Sequence, residues 1–162
     1  MADLLINPSG GVETCSIVLS SGSPSLDQAT CALLHKRARF TPAKDATGRA
    51  EYDVFRSPPI TWSLGSFRSF PVPPDYDLMI NRAPDGVRLP VEFKVDFLVT
   101  RDGRSQNCRS SPDKSAPAEL VALACQALAS APAEVIRDHN GLPVEAQNHA
   151  TFRFSLDKAP KK

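Results

Sequence analysis

Four cysteines and three histidines are the side chains in this sequence with nucleophilic, redox or metal-binding chemistry. Cys15, Cys31, Cys108 and Cys125 are too far apart for a Cys-x-x-Cys zinc or redox motif. His35, His139 and His149 are scattered, and none sits four residues from another as a helical zinc pair would. Cys31 and His35 have the spacing of a thiol and its base on one helix face, but a packed or bridged cysteine beside a cationic helix end has the same spacing. Ser20-Ser21-Gly22-Ser23 is no nucleophile elbow, and no Gly-rich phosphate loop is present. The carboxylates are spread over turns and strands with no pair placed for acid–base work. These residues point away from an enzyme and away from a bound cofactor or metal.

The cysteines carry a different signal. Cys15 and Cys31 are 16 residues apart and Cys108 and Cys125 are 17 apart, and the two pairs are offset by 93 and 94 residues. At the offset of 93, Leu4-Leu5-Ile6-Asn7-Pro8-Ser9-Gly10-Gly11 lies over Phe97-Leu98-Val99-Thr100-Arg101-Asp102-Gly103-Arg104. Asp45-Ala46-Thr47-Gly48 then falls on Asp138-His139-Asn140-Gly141, and both halves end alike, in Ile60-Thr61-Trp62-Ser63-Leu64 and Phe152-Arg153-Phe154-Ser155-Leu156. Ordered features at a nearly constant offset are the mark of a tandem repeat.

Each copy reads as strand, turn, strand, helix, turn, strand. Val91, Phe93, Val95, Phe97 and Val99 alternate with polar or smaller neighbours, the period of a half-buried strand. Arg101-Asp102-Gly103 makes the hairpin turn. Pro117 opens a helix with an apolar face of Leu120, Val121, Leu123, Ala124 and Leu128. In the first copy Ser23-Pro24-Ser25 caps the helix, Asp27 suits its positive end, and Leu26, Ala29, Thr30, Leu33 and Leu34 face the sheet. His35, Lys36, Arg37 and Arg39 crowd its C-terminal end, where cations are favoured, and Pro42 stops it. The final strands run roughly from Arg49 to Leu64 and from Val144 to Leu156.

The expected fold is therefore α+β: two tandem β-β-α-β modules, each a small antiparallel three-stranded sheet covered by one helix. Module 1 spans residues 1–64, a Pro-rich linker 65–90, module 2 91–156 and a tail 157–162. The linker holds one short apolar piece at Leu78-Met79-Ile80. A module of about 60 residues is marginal alone. The two could share a core, pair edge strands, or each be stapled by a disulfide. Of three connectivities, Cys15–Cys31 with Cys108–Cys125 repeats one pairing in both copies; buried reduced thiols are the alternative. Each bridge would close a loop of about 15 residues, worth roughly 3 kcal/mol.

Composition sets the outer bounds. The formal net charge of +1 gives no electrostatic footprint for nucleic acid or an anionic membrane. Proline, at 15 of 162 residues, is well above its usual share of about 5%, which favours short elements and stiff connectors. The longest apolar run, Ala116 to Ala133, is broken by Pro117, Glu119, Gln126 and Pro132, short of the roughly 20 residues a membrane span needs. Met1 to Pro8 lacks the basic region and apolar length of a signal peptide.

Gly11-Val12-Glu13-Thr14-Cys15, Ser20-Ser21-Gly22-Ser23, Leu26-Asp27 and Arg37-Ala38-Arg39-Phe40-Thr41-Pro42-Ala43 resemble the C-terminal domain of TonB-type energy transducers. The hairpin of that family falls on Asn7-Pro8-Ser9-Gly10 in the first copy and Thr100-Arg101-Asp102-Gly103 in the second, and its aromatic-Pro segment on Ala38-Arg39-Phe40-Thr41-Pro42, without the tryptophan. The second copy is degenerate here, reading Pro132-Ala133-Glu134-Val135-Ile136.

The resemblance implies a β-β-α-β fold and a non-catalytic periplasmic or cell-envelope domain. Such a domain takes the TonB box of an outer-membrane transporter as an added strand. It also implies inner-membrane partners where an anchor lies upstream. By resemblance the receiving edge is the last strand of the first copy, around Glu51, Asp53, Phe55, Ile60 and Trp62. The residues themselves offer Lys36, Arg37 and Arg39 as a contact for an acidic partner peptide or phosphate, with a solvated helix end as the alternative. Ser57-Pro58-Pro59 removes two donors from that edge, leaving Ile60 to Leu64 to pair. The chain has neither the family's membrane anchor nor its spacer, and it has two modules where a transducer has one. It is then the periplasmic piece of a longer protein, or the fold reused as a freestanding structural or adaptor unit.

Overall fold

The computed structural model describes residues 1–63, 71–112 and 116–157. Leu64, residues 65–70 of the expected linker and 158–162 of the expected tail lie outside the described residues. The chain runs β1 (Ala2–Ile6), β2 (Val12–Ile17), α1 (Pro24–Arg37), β3 (Tyr52–Arg56), β4 (Tyr76–Ile80), β5 (Val91–Val99), β6 (Ser105–Ser110), α2 (Ala118–Ser130) and β7 (Ala146–Leu156). The order strand, strand, helix, strand thus occurs twice, with β4 between.

The same hydrogen bonds recur 93 residues apart. The Gly10 N–H donates to the Asn7 carbonyl and that of Gly103 to Thr100; Phe40 N–H donates to Gly10 and Ala133 to Gly103. The carboxylates of Asp45 and Asp138 each accept from the backbone N–H four residues on, at Arg49 and Leu142. Both hairpin glycines are required by geometry. Gly10 sits at φ +83°, and a Cβ there would lie 2.2 Å from the Phe40 carbonyl oxygen; Gly103 sits at φ +78°, with the Ala133 oxygen 2.7 Å away. Gly10→Ala is expected to cost at least about 1–3 kcal/mol from backbone strain, before the steric clash is added, read as a lowered urea midpoint.

The strands form one mixed sheet among the described residues, seven strands in the order β2-β1-β3-β7-β5-β6, with β4 also paired to β7. Two separate three-stranded sheets were the expectation, and edge pairing has joined them. β7, with 11 residues, is longer than β3 with five. One flank of β7 is filled by antiparallel β5, from Val91 opposite Phe154 to Val99 opposite Ala146. Its other flank is divided: β3 pairs parallel at Tyr52 and Asp53 only, and β4 pairs parallel from Tyr76 opposite Phe152 to Ile80 opposite Leu156. The apolar piece of the expected linker is this strand.

Between β3 and β4 the ladder is bridged by Asp75. Its N–H donates to the Thr151 carbonyl, and its carboxylate accepts from the Thr151 N–H at 2.8 Å. Arg56 holds Asp3 through two bonds of 2.7 and 2.8 Å and also contacts Asp75.

The helices lie on opposite faces. Leu4 is in register with Cys15 and Phe55, so these share a face, and α1 is bridged to it through Cys31. Leu5 and Val54 point to the other face, as do Tyr52 and its partner Ala146. On that second face α2 buries Leu120, Ala124 and Leu128 against Phe93, Val95, Phe97, Phe152 and Phe154. The core under α1 is smaller: Ala2, Leu4 and Ile6, with Leu34 and Phe40 packed on it. Leu33 and Leu123, expected on the buried helix faces, are 42% and 41% exposed, because each helix buries only a narrow stripe, Thr30 on α1 and Leu120, Ala124 and Leu128 on α2.

Candidate partner-binding surface

All four cysteines are bridged, Cys15 to Cys31 and Cys108 to Cys125, so each second hairpin strand is tied to the helix above it. Cys31 is thereby engaged and is not a thiol paired with His35. The His35 Nδ1 instead lies 3.1 Å from the Val12 carbonyl oxygen at the start of β2.

The residues expected to form the receiving edge are not at an outer edge. β3 has β1 on one side and the start of β7 on the other. Glu51 accepts from the Gln147 amide at 2.8 Å, which ties the two halves together. Asp53 lies at the β3–β7 seam, and Phe55 tilts onto Phe40 at 4.9 Å. Ile60 and Trp62 follow the strand rather than extending it. Pro58 and Pro59 end the pairing after Arg56, so the paired segment is Tyr52–Arg56 and not the stretch from Ile60 onward. Trp62 is 45% exposed, and its indole N–H donates to the Thr30 hydroxyl on α1. Lys36, Arg37 and Arg39 are exposed at the end of α1, and none has a carboxylate partner among the described residues.

Three strands keep one side wholly unpaired among the described residues: β2, β6 and β4. Two of these are blunted. The start of β2 is covered by the His35 contact, and its Glu13 is engaged by His139 and Asn7. β6 carries Asn107 at φ +53°, opposite an irregularity in β5 between Asp96 and Leu98, which kinks its edge. β4 is regular in register over all five residues. It also presents Met79, 72% exposed and the most exposed large apolar side chain among the described residues. A regular edge strand with an exposed apolar side chain is a template for strand addition. Periodicity gave no sign of it, because β4 is five residues set among prolines.

The polar face of the seam carries half-buried titratable groups. Burial lowers the His149 pKa, helped by Lys94 and Arg56, while Asp53 and Asp96 oppose the shift. Burial raises that of Asp53, with His149 working against it. His149, depressed below its unfolded value near 6.5, contributes stability that is present above that pH and lost as pH falls through its folded pKa. Asp53 has the opposite sign: its cost is present above its folded pKa and relieved as pH falls towards 3.8. His149→Gln is therefore expected to flatten the decline in Tm below pH 6.5, measured in a series of thermal melts.

Residues 1–64 match the family model described as Gram-negative bacterial TonB protein C-terminal. This part of the chain is similar to that family, whose members are non-catalytic energy-transducer domains. No curated protein and no solved structure matches the chain. Among the described residues, no helix is long and apolar enough to cross a membrane.

Proposed function

We propose that this chain is a non-catalytic partner-binding protein of the periplasm, built from two copies of a TonB C-terminal-like module, which takes an extended segment of an outer-membrane transporter as an added strand. The family match over residues 1–64 carries the reading. The duplication is supported by the turn and loop hydrogen bonds that recur 93 residues apart. The receiving edge is β4 in place of β3, since β7 occupies the flank of β3 at Tyr52 and Asp53 and leaves only three residues of it unpaired. β4 lies on the same side of β7 as β3 does, so the docking line is shifted along the sheet, not moved across it. Backbone hydrogen bonds would supply the affinity, and Tyr76 and Met79 the side-chain contacts.

Calorimetric titration with a synthetic TonB-box peptide tests this. Saturable binding with 1:1 stoichiometry, weakened by Met79→Lys, is the expected result; a flat isotherm overturns it. A second reading is favoured by the engagement of β3 with β7: an adaptor whose modules satisfy each other's edges and transmit no force. A flat isotherm with the β3–β7 pairing intact is its signature.

A further inference from the structure

We propose that the cavity between the end of β3 and the polar face of β5 and β7 binds a small amphipathic organic anion, a carboxylate or sulfonate carrying an aromatic or aliphatic tail. The cavity measures about 590 Å³, within the roughly 300–1,000 Å³ usual for small-molecule sites. One wall is apolar and stiff: Phe55, Pro58, Pro59, Val72 and Pro73. Prolines and an aromatic ring lose little conformational entropy when a ligand packs on them.

The opposite surface is polar, and its charges are almost all matched within the protein. Arg56 is held by Asp3 and Asp75. Glu92 accepts from Arg153 at 3.0 Å. His149 is disfavoured as a cation by burial and by Lys94 beside it. The Met1 α-ammonium, also on the lining, donates to the Leu19 carbonyl at 2.8 Å. Lys94 is then the one cationic side chain on the lining with no ion pair or side-chain hydrogen bond among the described residues. A single unmatched ammonium facing an apolar wall selects a ligand with one negative group and an apolar body. A bare inorganic anion would leave the wall unused.

The probe is 8-anilinonaphthalene-1-sulfonate, with its uncharged counterpart N-phenyl-1-naphthylamine and inorganic sulfate as controls. The expected result is saturable binding of one sulfonate probe per chain, at least tenfold tighter than the uncharged naphthylamine, with no displacement by equimolar sulfate. Lys94→Met should weaken the sulfonate probe about tenfold or more and leave the naphthylamine unchanged, while Lys94→Arg retains binding. Phe55→Ala should weaken both probes, and thermal melts of each variant confirm that the fold persists. Equal affinity for the charged and uncharged probes, an unaffected Lys94→Met variant, or non-saturating binding would overturn the assignment.

Discussion

Reducing both disulfides is expected to lower the stability of this protein by about 6 kcal/mol, read as the loss in unfolding free energy between urea melts with and without reductant. Each bridge closes a loop set by a separation of 16 or 17 residues, worth roughly 3 kcal/mol in lost entropy of the unfolded chain. The two should not matter equally to local structure. The buried core under α1 is Ala2, Leu4 and Ile6, whereas the core under α2 includes four phenylalanines and three helix residues. Replacing Cys15 and Cys31 by alanine should release α1 and speed amide exchange over Pro24–Arg37. Replacing Cys108 and Cys125 should leave α2 protected, because Leu120, Ala124 and Leu128 still anchor it. Equal exchange in both helices would mean that the cores are not unequal in the way their burial implies.

Phe152→Ala should cost about 3–5 kcal/mol, the range for deleting a fully buried aromatic ring. Phe152 is 0% exposed, and its ring stacks on Tyr76 at 4.5 Å and lies 6.3 Å from Phe154. It therefore supports the α2 core on one strand and anchors β4 on the next. A global loss of stability in urea, together with faster amide exchange at residues 76–80 than in the rest of the sheet, is the expected pattern. A change under about 1 kcal/mol would mean that the site collapses around the gap.

The hairpin strands of each half, both hairpin turns and the cysteine pairing were legible because they rest on local rules, whereas the strand expected from Arg49 to Leu64 is Tyr52–Arg56. Alternation at Val91 to Val99, glycine at positions 10 and 103 and the repeated cysteine spacing each read without tertiary context. The joining of the two halves was not legible. It depends on unpaired main-chain groups along β3 and β7, which leave no mark in side-chain periodicity. That union put Asp53 at a seam inside the sheet instead of at its margin, with Glu51 just before the strand bonded to Gln147. β4 escaped for a related reason: Leu78, Met79 and Ile80 are too few to show a period, and only β7 alongside makes them a strand. Trp62, expected on the receiving edge, instead donates its indole N–H to the buried Thr30 hydroxyl of α1.

Amide exchange across the whole chain, with and without a synthetic TonB-box peptide at saturation, tests the central claim most directly. Strand addition at β4 predicts new protection concentrated at residues 76–80, with β2 and β6 unchanged. Protection centred on β2 or β6, or displacement of β7 with slowed exchange at Val54 to Arg56, would contradict it and return the docking site to another edge.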